Sequence, residues 1–164
     1  MGDLAPLRRS RADRRPALYR STKTYDHNEG LSCCFRQWRA VHSHCRLLHG
    51  YALAFKFIFA ASELDERNWC FDFGDLKEVK QWLHEHFDHT LIVAEDDPQL
   101  ATFRLLAASG LVELRVLPAV GCEAVAEYAF SHVNAFIGQK TQGRVWVESV
   151  EVKEHGGNSA LYGP

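Results

Sequence analysis

The chain has 164 residues, of which 46% are hydrophobic and 24% charged, with a formal net charge of −2. That length and composition predict one globular domain with a real core and exclude a disordered chain. The balanced charge gives no general attraction for nucleic acid, and no apolar run approaches the roughly 20 residues of a membrane span.

The first twenty residues are an exception to that balance. Arg8, Arg9, Arg11, Arg14, Arg15 and Arg20 stand against only Asp3 and Asp13. No apolar segment follows them, as a secretory signal would require. Residues 1–22 are therefore expected to form a basic, flexible arm, with contact to an anionic partner as the alternative, and residues 23–164 a single domain. The cysteines are Cys33, Cys34, Cys45, Cys70 and Cys122. An odd number with one adjacent pair argues against a disulfide framework, and the lack of a CxxC pair against a zinc knuckle. A reducing cytoplasm is the expected location.

Residues 31–42 alternate, with Cys34, Arg36, Trp38, Ala40 and His42 on one face. From 49 to 61 the period of two is clearer: His49, Tyr51, Leu53, Phe55, Phe57 and Phe59 share a side. The two runs predict antiparallel strands. Asp75 predicts a helix start, followed by Leu76, Val79, Leu83 and Phe87 at spacings of three and four. Leu91-Ile92-Val93 predicts a short strand. Asp96-Asp97-Pro98 predicts the cap of a second helix running through Ala108, and Val112 to Leu117 another strand. A third helix is expected from near Gly121, with Val125, Tyr128, Ala129, Val133 and Phe136 as its buried stripe. Arg144 to Glu154 alternates again and predicts the last strand. The expected class is α+β, with helices packed on one face of an antiparallel sheet.

Chemistry concentrates between residues 42 and 49, where His42, His44, Cys45 and His49 crowd into eight positions. Core packing alone does not explain that density. Four further pieces stand out: Cys70-Phe71-Asp72-Phe73-Gly74-Asp75-Leu76-Lys77, Phe87-Asp88-His89, Gly121-Cys122-Glu123 and Val152-Lys153-Glu154. With Cys45-x-x-x-His49-Gly50, in this order and spacing, they resemble the 6-pyruvoyltetrahydropterin synthase / 6-carboxytetrahydropterin synthase family over roughly residues 30 to 162.

That resemblance implies a tunnelling fold, a four-stranded antiparallel sheet backed by helices, in subunits that assemble as a trimer or a dimer of trimers. It implies a lyase acting on 7,8-dihydroneopterin triphosphate, yielding 6-carboxytetrahydropterin on the route to 7-deazapurines such as queuosine. It also implies Zn2+ held by three histidines, proton transfer by Cys45 and by His89 with Asp88, and a pterin gripped by Glu154, with Glu123 a second substrate-binding carboxylate. The roles make chemical sense. An open zinc site is a Lewis acid for the side-chain oxygens, and proton transfer needs groups on either side of the reacting carbon. A carboxylate suits the paired N–H donors of a pterin.

The chain departs from the pattern at the metal. Tyr51 stands where the family has the second imidazole of His-Gly-His. Trp38-Arg39-Ala40-Val41-His42 offers the first metal histidine, whereas an alternative register from Phe35 puts Arg39 there. His42, His44 and His49 are the candidate ligands, on one face if the strand persists, with Tyr51 lining the site. The alternatives are a pterin- or purine-binding relative without metal, or 6-pyruvoyltetrahydropterin synthase activity. Residue by residue, plainer roles compete: His49 as an ordinary strand residue, Cys45 as a small buried hydrophobe, His89 as a helix C-cap, Glu154 as a surface charge.

Overall fold

The computed structural model describes residues 18–164. The strands are β1 (Tyr19–Tyr25), β2 (Leu31–Phe35), β3 (His49–Ala61), β4 (Thr90–Ala94), β5 (Glu113–Leu117), β6 (Val145–His155) and β7 (Asn158–Tyr162). The helices are α1 (Leu76–Phe87), α2 (Leu100–Ala108) and α3 (Cys122–Lys140). All seven strands join one sheet in the order β5-β4-β2-β3-β6-β7, with β1 on the β2 side of β3.

Strand β3 organises the molecule. Its first part pairs with β2, from Phe35 opposite His49 to Leu31 opposite Leu53. From Phe55 onward the same edge takes β1. The other edge takes β6, beginning at Ala54 opposite Lys153. Residues 49–53 of β3 therefore lack a strand on their β6 side. Side chains alternate along a strand, so Leu53, Phe55, Phe57 and Phe59 all enter the core, each 0% exposed. Burying each phenylalanine contributes about 2 kcal/mol of transfer free energy. His49 and Tyr51 continue the same face past the end of that core.

Helix α1 buries Leu76, Val79, Leu83 and Phe87 as its spacing predicts, and Trp82 besides. Helix α3 lies beside it, with Trp82 stacked on His132 at 4.1 Å between ring centroids. Its buried stripe is Cys122, Val125, Ala126, Ala129, Val133 and Ile137; Tyr128 and Phe136 are only partly covered.

The sheet differs from the expected four antiparallel strands. β1, β3, β6 and β7 form an antiparallel group of four. Strand β4, however, runs parallel to both β2 and β5. Nor do the helices keep to one face. Ile92 joins the main core, while Leu91 and Val93 pack with Phe103 of α2 on the opposite side. Every β4 residue is buried, and its unbroken apolar run is what a parallel strand covered on both faces requires.

The strand expected over 31–42 stops at Phe35. Residues 36–48 form a loop pinned by ion pairs: Arg36 to Asp97 at 2.6 Å, and Arg39 to Asp96, whose other oxygen accepts from the Trp38 indole N–H at 3.1 Å. Asp97 accepts from Gln99 N–H at 2.8 Å, but the helix starts two residues later than expected. At α1 the capping side chain is Asp72, which holds Gly74 N–H in the preceding turn; Asp75 makes no such bond. Strand β1 starts at Tyr19, inside the expected arm of 1–22. Residues 1–17 of that arm lie outside the described residues. Among the described residues no helix is long and apolar enough to cross a membrane.

Candidate active site

Glu154 sits where the β6–β7 register shifts between Lys153 and His155, one residue beyond the last β3–β6 pair. A bulge of this kind turns a side chain out of the ladder. The Cys122 thiol lies near enough to its carboxylate for each to feel the other. Burial first, and then the Glu154 and Glu123 charges, push that thiol up to about 12. Cys122 therefore stays protonated and is available as a donor. Tyr51 stands near both. Burial, then Glu154, Cys45 and Cys122, raise its phenol above the ordinary value. Its ring packs against Phe35, His49 and His155 at centroid distances of 6.1, 5.5 and 6.1 Å. Tyr51 is the meeting point of three motif groups.

The loop of residues 36–48 closes on the start of α3 through Gln37. Its backbone N–H donates to Cys45 O at 2.8 Å, and its Nε2 to Val120 O at 2.7 Å. Gly121 follows with φ of 108°, and a Cβ there would stand 2.0 Å from Gln37 Nε2. Only glycine fits so positive a φ at so close an approach. Glu123 lies exposed in the first turn of α3, near the same point. Cys45 is exposed in a short turn over His44–Arg46, where Ser43 Oγ accepts from its backbone N–H at 3.1 Å.

Asp88 and His89 follow α1. His89 Nδ1 lies 2.6 Å from Asp88 Oδ1, and His84 Nδ1 lies 3.2 Å from Asp88 Oδ2. Burial opposes the charge on Asp88, but the bonds from His84 and His89 outweigh it and hold the carboxyl below the usual range. His89 has φ of 55°, a conformation uncommon outside glycine and asparagine. It lines an open groove of about 440 Å³ together with Tyr51, Gly50 and Cys34. Gly50 is needed where β2 and β3 meet, since a Cβ would lie 2.9 Å from Cys33 O. A larger hollow of about 520 Å³ lies at the far end of β1, beside Trp69 and Phe73. None of the candidate catalytic or substrate-binding residues lines it.

The structure thus brings Glu154 and Glu123 near Cys122, sets Glu154 and Cys45 near the Tyr51 phenol, and puts His89 on a groove that Tyr51 also lines. It does not gather the three histidines. Because β2 ends at Phe35, His42 and His44 share no strand face and sit exposed in the loop. His49 donates from Nδ1 to Leu47 O at 2.8 Å, which leaves Nε2 as its free lone pair. Among the described residues no group of three or more His, Cys, Asp or Glu side chains is placed to share a metal ion. The donor set does not fit a three-imidazole zinc site, and in the alternative register Arg39 is bound to Asp96.

Gln37 and Cys122 were not evident as site residues from sequence. The one local signal was the glycine opening a helix after an apolar strand. Nothing in the order of residues places Glu154 beside Cys122.

Residues 24–164 match the family described as 6-pyruvoyl tetrahydropterin synthase. A 57-residue stretch is 39% identical to the 6-carboxy-5,6,7,8-tetrahydropterin synthase of Rickettsia felis and 37% identical to that of Rickettsia conorii. Each alignment covers 34% of this chain and 41% of the relative, so the match spans less than half of those proteins. Among solved structures, a protein of Wolinella succinogenes superposes with a TM-score of 0.74 at 21% identity, covering 90% of this chain and 98% of that one. The 6-pyruvoyl tetrahydropterin synthase of Plasmodium vivax gives 0.63 at 15% identity, with coverages of 89% and 97%. Those two likenesses show a shared fold. Together with the match over residues 24–164, they establish that the chain belongs to the 6-pyruvoyl tetrahydropterin synthase family.

Proposed function

We propose that the chain is a lyase of the 6-carboxy-5,6,7,8-tetrahydropterin synthase type, acting on 7,8-dihydroneopterin triphosphate on a route to 7-deazapurines such as queuosine. The observation that carries this reading is the Glu154 carboxylate beside the protonated Cys122 thiol and the Tyr51 phenol, which also feels Cys45. Two carboxylate oxygens facing a crevice match adjacent N–H donors of a pterin ring. Cys45 takes a proton from the substrate side chain and His89 exchanges one on the other side, with Asp88 fixing its ring. Glu123 is a second carboxylate at the mouth. No step is assigned to a metal, because the histidines do not form the donor set that zinc would need. Of the candidate cations for a triphosphate, Arg36, Arg39 and Lys153 are already paired with Asp97, Asp96 and Glu151, which among the described residues leaves Arg46.

A homo-oligomer, a trimer or a dimer of trimers, belongs to the same proposal. Among the described residues β1 and β7 each pair on one side only, so both present open edges to another copy. Five free cysteines suit a reducing cytoplasm.

A second reading is favoured by the scattered histidines: a pterin-binding relative without lyase activity. Two variants separate them. Cys45→Ala is expected to cut turnover about 10²–10⁴-fold with binding nearly intact. Glu154→Gln is expected to weaken binding about tenfold or more, as the loss of charged hydrogen bonds does. Pterin binding without turnover in the unaltered protein supports the second reading, and full activity of Cys45→Ala removes the thiol from the mechanism.

A further inference from the structure

We propose that His84 is a positioning residue for the Asp88–His89 pair, the central member of a polar line running Lys80, Glu29, His84, Asp88, His89. The proposal rests on the reading that His89 moves a proton. Lys80 Nζ contacts Glu29 Oε2 at 2.6 Å, and His84 Nε2 faces that same oxygen at 3.8 Å. His84 Nδ1 and His89 Nδ1 then take opposite oxygens of Asp88 at 3.2 and 2.6 Å. Glu29 comes from the turn His27–Glu29 between β1 and β2, whereas Lys80 and His84 are one turn apart on α1. Lys23 of β1 adds a further positive charge toward Glu29. Two distant parts of the chain are thereby tied to one carboxylate.

The chemistry of Asp88 fixes the protons. An ionised carboxylate only accepts, so each ring nitrogen within hydrogen-bond distance of Asp88 must carry the hydrogen, whereas His84 Nε2, 3.8 Å from Glu29, is too far to make such a bond. Both imidazoles are therefore protonated at Nδ1, and neutral His89 presents a bare Nε2. This matters because little else restrains His89. Its side chain is 88% exposed, its backbone is left-handed, and its bond to Asp88 is the one side-chain hydrogen bond it makes among the described residues. Without His84, one Asp88 oxygen loses its donor and the carboxylate is free to rotate, taking His89 with it. Half-exposed ion pairs of this kind add under about 1 kcal/mol each to stability. Orientation of the pair accounts for the arrangement better than stability does.

The test is the tautomer of the histidine rings, read by long-range ¹H–¹⁵N spectra of the full chain, alongside kinetics on dihydroneopterin triphosphate. In the unaltered protein both His84 and His89 should show the Nδ1–H form. In His84→Ala, His89 should shift toward the Nε2–H form, with kcat down about tenfold and KM within about twofold, as expected for lost orientation. His84→Asn, which keeps a donor near the Nδ1 position, should hold the His89 tautomer and recover most of kcat. An Nε2–H form on His84 in the unaltered protein overturns the proposal, even if His84→Ala does not fold. So does an unchanged His89 tautomer in His84→Ala. A protein that does not turn over the substrate refutes the functional reading instead, while the spectra still decide where His89 is held.

Discussion

Glu154 carries its charge against a buried thiol that stays protonated to about pH 12. Cys122 is thus a protonated thiol across the working pH range, able to donate to the carboxylate proposed to bind the pterin and not a nucleophile. Cys122→Ala removes that donor without touching Cys45. Binding of a pterin should weaken about three- to tenfold, the range for one lost hydrogen bond to a charged group, with kcat within about twofold. A titration of pterin fluorescence against both proteins checks it, and equal affinities would show that Glu154 needs no steadying. At this scale the sequence named Cys45, Asp88, His89 and Glu154 through their motifs, and the structure sets His89 on a groove with Tyr51 and Glu154 near the same phenol. It was silent on contacts between distant segments, such as Gln37 to Val120 and Cys122 to Glu154.

Among the elements, the loop over residues 36–48 decides the shape of the site, and Asp97 holds that loop. The Asp97 side chain is 1% exposed and paired with Arg36 at 2.6 Å. The Arg36 hydrogen bond outweighs burial and keeps this carboxyl below its usual range. A carboxyl depressed in the folded state adds stability above its unfolded pKa, and that contribution is lost as pH falls through the folded value. Arg36→Met reverses the situation by stranding a buried charge. It should cost about 3 kcal/mol near pH 7, and the gap to the unaltered protein should narrow below about pH 4 as Asp97 protonates. Denaturant melts at the two pH values measure it, and an equal loss at both would separate the loop from the ion pair. The same pairs explain why alternation over residues 31–42 misled. Arg36, Trp38 and Arg39 occupy strand-like positions but find partners on the β4–α2 connection. Strands β1 and β7 escaped notice because edge strands half-open to solvent carry a weak apolar signal: β1 reads Tyr-Arg-Ser-Thr-Lys-Thr-Tyr. Strand β3 and helix α1 were legible because both bury one whole face.

Across the whole molecule, one long strand links the phenylalanine core to the chemistry. The face that buries Leu53 to Phe59 continues as His49 and Tyr51, where β6 has parted from β3 and Glu154 turns out of its ladder. The α+β class and the helix order followed from periodicity. The parallel pairing of β4 did not, because a run of four apolar residues has no direction of its own. The histidines were placed near one another by sequence distance, but a loop closed by Gln37 and two ion pairs does not fold them together. What remains is a carboxylate and a thiol near one phenol, with an imidazole on the groove that the phenol also lines. Incubation of the purified chain with 7,8-dihydroneopterin triphosphate, with and without added zinc, followed by mass analysis of the pterins, tests this account most directly. It predicts conversion to 6-carboxytetrahydropterin that Glu154→Gln impairs through KM. Substrate recovered unchanged under both conditions, with no pterin retained by the protein, would contradict it.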